Sequence, residues 1–259
     1  MSELRVHNWL SLQEALFDSA WQPSLQRFRS NFVFRGTPRA SHGLETSLQT
    51  GGFEEKERHL LSSFRKYAQR SAVHGDLAWN WLSLAKHHGL PTRLLDWTYS
   101  PYVAMHFATP DFRHFDEDAT IWCVDYRRTN ELLPEPLSRI ANREDVNIFT
   151  TELLSGVART LAEFDALAKN DFVVFFEPPS LDERIVNQFA LFSLPSSPTL
   201  HLQQLLESRE SMFRRIVIPA SLKWEIRDKL DQANITERVL FPGLDGLSQW
   251  LKRYFAKRT

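Results

Sequence analysis

The chain has 259 residues, 42 % of them hydrophobic and 12 % aromatic, with eight Trp and nineteen Phe, enough for one large domain or two small ones with several packed surfaces. Thirty-one basic residues against thirty-two acidic ones exclude a global field that would draw the chain to nucleic acid or membrane. The single cysteine, Cys123, excludes an internal disulfide; no apolar leader opens the chain and no apolar run nears ~18 residues, so a cytoplasmic protein without a membrane segment is expected.

No repeat, low-complexity tract or linker interrupts the chain, and one domain over residues 1–259 is expected. In "SLQEALFDSAW", Ser11 followed three residues later by Glu14 predicts a capped first helix. "NFVFRG" is short, aromatic and β-branched and ends at a glycine, which predicts a strand of about five residues. The turn-rich stretch over residues 35–52 reads as a long loop of the kind that lines sites. "FEEKERHLLSSFRKYAQRS" carries Leu60, Leu61, Phe64 and Tyr67 at helical spacing. "DLAWNWLSLAKHH" predicts a second helix, capped by Asp76 and ended by Gly89 and Pro91. After a loop dense in polar groups, Ser100-Pro101 supplies an N-cap and a first-turn proline that launch "YVAMHFA". "ATIWCVDY", "FVVFFE" and "MFRRIVIP" predict strands, with a helical "RTLAEFDALAKN" between the first two and helices "SLKWEIRDKLDQ" and "GLDGLSQWLKRYF" near the end. Helices dominate early and strands late without βαβ alternation, which predicts an α+β fold on a mixed or antiparallel sheet.

Familiar chemistries find little support. There is no glycine-rich phosphate loop, no His-Glu-x-x-His and no Gly-x-Ser-x-Gly, and no metal site is expected from nine scattered histidines. Cys123 lies mid-strand among apolar residues and reads as an inert buried thiol. Polar residues instead gather at the ends of elements. Arg35 ends a strand just before Gly36, and His87, His88, Thr92, Arg93, Asp96, Trp97, Thr98 and Ser100 crowd one loop, while Arg184 and Gln188 stand four apart. A structural role competes for each: Asp96 can cap a turn or pair with Arg93 or Arg35, Trp97 can fill the core, Ser100 can cap the next helix, and Arg35 can sit in a buried ion pair.

These residues carry a resemblance. "FVFRG" followed by "HHGLPTRLLDWTYSPYVAMHFA" resembles the FRG domain family, named for its Phe-Arg-Gly; "RIVNQFALF" and "VLFPGLDGL" resemble two weaker signatures of it. Gly243 stands where the family often carries an acid. The order of motifs is similar to that of arginine-serine-glutamate ADP-ribosyltransferases. The resemblance implies a sheet of that kind, with NAD as co-substrate. Arg35-Gly36 matches the first motif of those enzymes, and "DWTYSPYVAMHFA" resembles the second, with Thr98 and Ser100 in place of the hydroxyl residues. The third motif has no clean counterpart, and Glu177, Glu183 or Gln188 can take its place.

On that implication Arg35 grips pyrophosphate or ribose, and Trp97 or Tyr99 offers a face to nicotinamide. Asp96, Glu177 or Glu183 stabilises the oxocarbenium-like ribose, and His87 or His88 bonds a ribose hydroxyl or acts as base. Gly36, Thr92, Arg93, Tyr99 and Ser100 complete the expected NAD-binding set. The expected function is ADP-ribosyl transfer to RNA, DNA or protein by a bacterial toxin or antiphage effector, with an antitoxin protein as a partner. A non-catalytic nucleotide- or nucleic-acid-binding module and an NAD glycohydrolase are the alternatives.

Overall fold

A strand buried on both faces belongs mid-sheet, and every position of Ala119–Asp125 (β6) is buried. Around it the computed structural model, which describes residues 3–68, 76–180 and 183–257, builds an eight-stranded mixed sheet in the order β1-β10-β6-β4-β5-β9-β8-β7. Its other strands are β1 (Glu3–Arg5), β4 (Phe32–Thr37), β5 (Leu95–Thr98), β7 (Phe149–Thr150), β8 (Val173–Glu177), β9 (Ala190–Pro195) and β10 (Phe213–Ile218). The short strands β2 (Trp21–Gln22) and β3 (Arg27–Phe28) pair only with each other. Interior neighbours run antiparallel; the outermost pairs, β1 with β10 and β7 with β8, run parallel. The expected helices-with-mixed-sheet architecture is the one found.

In chain order the helices are α1 (Trp9–Phe17), α2 (Ser47–Thr50), α3 (Glu57–Tyr67), α4 (Ala78–His87), α5 (Pro101–Ala108), α6 (Tyr126–Thr129), α7 (Glu135–Arg143), α8 (Thr151–Val157) and α9 (Leu161–Asp165). They continue with α10 (Glu183–Asn187), α11 (Leu202–Glu207), α12 (Lys223–Gln232), α13 (Glu237–Leu240) and α14 (Leu244–Tyr254). Three local expectations need correction. Helix α1 starts two residues before Ser11: Asn8 Oδ1 accepts from the Ser11 amide at 2.9 Å and Ser11 Oγ accepts from the Asn8 amide at 3.1 Å, so the box is Asn8–Ser11 and Trp9 joins the core side. Asp76 does not cap α4; its carboxylate accepts from Trp81 Nε1 and pairs with Arg65, each at 2.8 Å. The expected end of the third helix, residues 69–71, lies outside the described residues. The largest difference concerns Leu95–Thr98, which reads as loop and is a central strand, and Ala190–Pro195, which is the strand beside it.

Strand alternation sorts the core into layers. On one face Phe34, Ile121, Cys123 and Ile216 pack under α1, α5 and α12. On the opposite face Val33, Leu95, Trp97, Trp122, Phe175 and Leu191 pack with Leu202 and Leu206 of α11. A third cluster joins Val174, Phe176, Phe192 and Leu194 to Trp79 and Trp81 of α4 and to α7, α8 and α9. Register places this third cluster on the same face as the first. Phe34 stands opposite Thr98, Thr98 shares its face with Asp96 two residues away, and Asp96 stands opposite Phe192. One face of the sheet therefore carries two helical layers, and the seam between them runs over β4 and β5.

Helix α5 lies very close on β4. A Cβ at Gly36 would stand 1.9 Å from the Ala104 carbonyl oxygen and 2.6 Å from the Ala108 amide nitrogen, both backbone atoms that cannot yield without moving the helix. The glycine of Phe-Arg-Gly is thus a packing requirement. Gly36→Ala is expected to cost about 1–3 kcal/mol or more, as overpacking of a filled core does. Urea unfolding at fixed pH reads this directly, and an unchanged midpoint would contradict the close approach.

Candidate active site

The seam opens into a cavity because two central strands pair only once. β4 matches β6 at six consecutive positions, but it meets β5 at a single one, Phe34 with Thr98. Past that point the strands part, and the Asp96 carbonyl has no strand partner on the β4 side. A backbone carbonyl left out of the ladder takes a donor from a side chain or from water. Arg35 provides it, donating from Nη1 to Asp96 O at 2.7 Å across the gap.

Beside this bridge lies a cavity of about 420 Å³. Its polar wall holds Arg35, Lys86, His87, Asp96 and Thr98; its apolar wall holds Phe34, Phe107, Ile185, Phe192 and Phe241. Arg184 and Gln188 border it from α10 and the turn after it, and Gly36 and Pro38 from the end of β4. Asp96 is the single carboxylate among the described lining residues. Its Oδ2 lies 2.7 Å from Lys86 Nζ and 3.7 Å from Arg35 Nη1. Partial desolvation by the surrounding wall pushes this half-exposed carboxyl up, but the charges of Lys86 and then Arg35 more than offset that, so its pKa lies below the usual carboxylate value. Burial lowers the Arg35 pKa, with Asp96 opposing. The buried Arg35 Nε finds no hydrogen-bond partner among the described residues. Unmet donors are rare inside proteins, and this one borders a cavity.

The structure brings together part of the expected set: Arg35, Gly36, His87, Asp96, Thr98 and Gln188. Trp97 borders the cavity, yet its indole lies on the other face of the sheet, packed on Phe175 and donating to Ser193 Oγ at 2.9 Å, so it offers no face to a ligand. The other expected residues serve the scaffold. Thr92 is buried and joined to Ser47, whose hydroxyl accepts from the Thr92 amide at 3.2 Å. Arg93 is buried between Glu57, which it meets through Nε at 2.8 Å, and Asp165, at 2.6 Å from Nη1. Tyr99 donates to Glu177 at 2.8 Å, and burial, then Glu177, raises its pKa. Ser100 caps α5 by accepting from the Val103 amide at 3.3 Å. His88 is exposed and edge-on to His87. Neither Glu177, at the end of β8, nor Glu183, at the start of α10, lines the cavity. Gln188 lines it, but its amide donates to the Leu240 carbonyl at 2.9 Å and its own carbonyl accepts from Thr98 Oγ1 at 2.7 Å, so it fastens the wall.

Sequence reasoning missed Lys86, Phe107 and Phe241. Lys86 stands on the last turn of α4, where a lysine ordinarily reads as a favourable partner of the helix dipole. Phe241 carries the Arg184 guanidinium 5.0 Å above its ring and closes the far end. Its only advance signal was membership of "VLFPGLDGL".

Behind Phe107 lies a buried charged cluster. His106 Nδ1 accepts from Arg227 Nη1 at 2.9 Å, and Arg253 binds Asp231 at 2.6 Å and Glu237 at 2.5 Å. Burial first, then the charges of Arg227 and Arg253, hold the His106 pKa well below its ordinary 6.5. The folded ring stays neutral, while the unfolded chain takes up a proton below about pH 6.5. This contribution to stability is complete above that pH and is lost as pH falls through it. Urea titrations at pH 7 and pH 5 should show wild-type stability dropping, and His106→Gln, which keeps an acceptor but does not titrate, should flatten the drop. An equal drop in both proteins would contradict the assignment.

Residues 30–117 match the family model of the FRG domain. The chain carries an FRG domain. The matched stretch runs from just before β4 to just before β6, so this domain supplies both partners of the bridge: Arg35 from Phe-Arg-Gly and Asp96 from Leu-Leu-Asp-Trp-Thr. It also supplies Lys86, His87 and Phe107, whereas Arg184, Gln188 and Phe241 come from beyond it. No curated protein and no solved structure matches the chain. No helix of the described residues is long and apolar enough to cross a membrane.

Proposed function

We propose that the FRG domain protein is an NAD-dependent ADP-ribosyltransferase whose donor binds in the cavity beside the β4–β5 gap. The observation that carries this reading is the pairing, in one cavity, of a half-buried arginine whose Nε donor is unmet and Asp96, the one carboxylate among the described lining residues. A dinucleotide with a pyrophosphate and a cationic ring asks for that combination. Arg35 offers N–H donors in a planar fork that suits phosphate oxygens. Phe34, Phe107, Phe192 and Phe241 give apolar surface for the rings.

In the reaction, the glycosidic bond between ribose and nicotinamide breaks and its electron pair leaves with nicotinamide. Positive charge builds on the ribose as an oxocarbenium-like centre, which an ionised carboxylate stabilises. An acceptor oxygen or nitrogen then bonds to that carbon and loses its proton. Asp96 fills the carboxylate role in this reading, since Glu177 and Glu183 do not line the cavity. Gln188, with its amide already bonded, holds position. The acceptor is RNA, DNA or protein, and the setting is that of a toxin or antiphage effector restrained by an antitoxin protein; both come from the family resemblance.

One observation favours a second reading. Lys86 pairs with Asp96 at 2.7 Å, and a neutralised carboxylate suits a nucleotide-binding module that does no chemistry. Nicotinamide release separates the two. Purified protein with NAD and total RNA, DNA or lysate should release nicotinamide and label one polymer. Arg35→Ala should lower the rate by about 10²–10³, the usual cost of losing one electrostatic clamp. NAD binding without nicotinamide release would favour the module, and release without a labelled polymer would mark a glycohydrolase.

A further inference from the structure

We propose that the Lys86–Asp96 ion pair is a built-in occupant of an anion seat, and that the phosphate of a ligand replaces Asp96 as the partner of Lys86. This rests on the preceding reading only for the identity of the ligand as a pyrophosphate; the seat itself is read from the geometry.

Two cations converge on one carboxylate oxygen. Asp96 Oδ2 takes Lys86 Nζ at 2.7 Å and stands 3.7 Å from Arg35 Nη1. The cations have little access to water, with side chains 18 % exposed for Lys86 and 24 % for Arg35, whereas the Asp96 side chain is 51 % exposed. The partner most open to solvent is thus the carboxylate. It faces the open cavity, while the cations are set into the wall. Arg35 is also fixed independently of the Asp96 side chain, through its bond to the Asp96 backbone carbonyl. Turning the carboxylate aside therefore leaves Arg35 in place with its Nε donor unmet. Arg184 and His87 line the same cavity and add no negative charge. Two wall-set cations and a more exposed anion describe a site that holds its own counter-ion until a stronger one arrives.

The exchange preserves charge pairing. Lys86 gives up a carboxylate oxygen and takes a phosphate oxygen, and the desolvated cation is never left bare, which would be costly. It also orders events in the proposed reaction. Asp96 is neutralised while the cavity is empty, and its charge is uncovered only when a phosphate group occupies Lys86. On this account the pair that favours a mere binding module is the resting state of a ligand-triggered carboxylate.

Isothermal titration of ADP-ribose and of inorganic pyrophosphate into wild type, Asp96→Asn and Lys86→Met tests the seat. Asp96→Asn removes the internal competitor and should bind both probes about tenfold tighter; Lys86→Met keeps the side-chain length and should bind about tenfold weaker, the size of one charged contact. In the double variant the gain from Asp96→Asn should vanish, because no lysine remains to be released. Thermal melts of each variant establish that it is folded before binding is read. Asp96→Asn binding no tighter than wild type, with an unchanged melt, would overturn the proposal. So would an absence of binding to both probes in wild type and Asp96→Asn alike. Tighter binding by Asp96→Asn with no nicotinamide release from wild type would sink the transferase reading and leave the seat intact.

Discussion

The site depends on a missing strand pairing. β4 and β5 are neighbours in the middle of a broad sheet, yet they share one register position before they diverge. Backbone groups freed by such a parting bond to side chains or to water. Arg35 meets that need with one N–H and places the rest of its guanidinium at the edge of the gap. The same side chain therefore closes the sheet and charges the cavity. Gly36 then allows α5 to lie directly on the parting strands, which fixes the roof over one side.

Around this bridge, most polar residues of the long motif are scaffold. Arg93 is anchored in a buried network with Glu57 and Asp165, which ties the start of β5 to α3 and α9. Losing one member of such a network leaves a buried charge uncompensated, which is why each member is needed once the network exists. Trp97 locks β5 to β9 through Ser193, and Thr98 and Ser100 set the turn into α5. The scaffold holds β5 so that Asp96 meets the cavity paired with Lys86 at 2.7 Å.

Much of this is legible in the amino-acid sequence. Ser100-Pro101 marks the start of α5, and the β-branched, aromatic run through Cys123 marks β6. Arg35, Gly36 and Asp96 stand out by type and motif, and the motif's domain is confirmed by its family match over residues 30–117. What escaped was what depends on distant chain. β5 has four residues, follows a Gly-x-Pro segment and alternates charged Asp96 with buried Trp97, so local pattern gives it no strand signature until β9 supplies its partner. Trp97 reads as a ligand face or a core plug with equal ease; only the register of β5 decides that it points away from the cavity. Lys86 looks like a solvated helix-end charge, and nothing near it in sequence shows that α4 ends above Asp96. Phe241 reaches the cavity through tertiary packing beneath Arg184.

Among the described lining residues the cavity thus balances charges in a small space: Lys86 and Arg35 against the more exposed carboxylate of Asp96, beside apolar surface that includes Phe107 and Phe241. The cavity is an NAD site if the anion it wants is a pyrophosphate, and Asp96 is its reactive carboxylate if ligand binding uncovers it. A crystal structure with ADP-ribose tests both at once. The account predicts pyrophosphate oxygens bonded to Arg35 and Lys86, with Asp96 turned from Lys86 toward the ribose. ADP-ribose bound elsewhere, or bound here with the 2.7 Å Lys86–Asp96 contact intact, would contradict it.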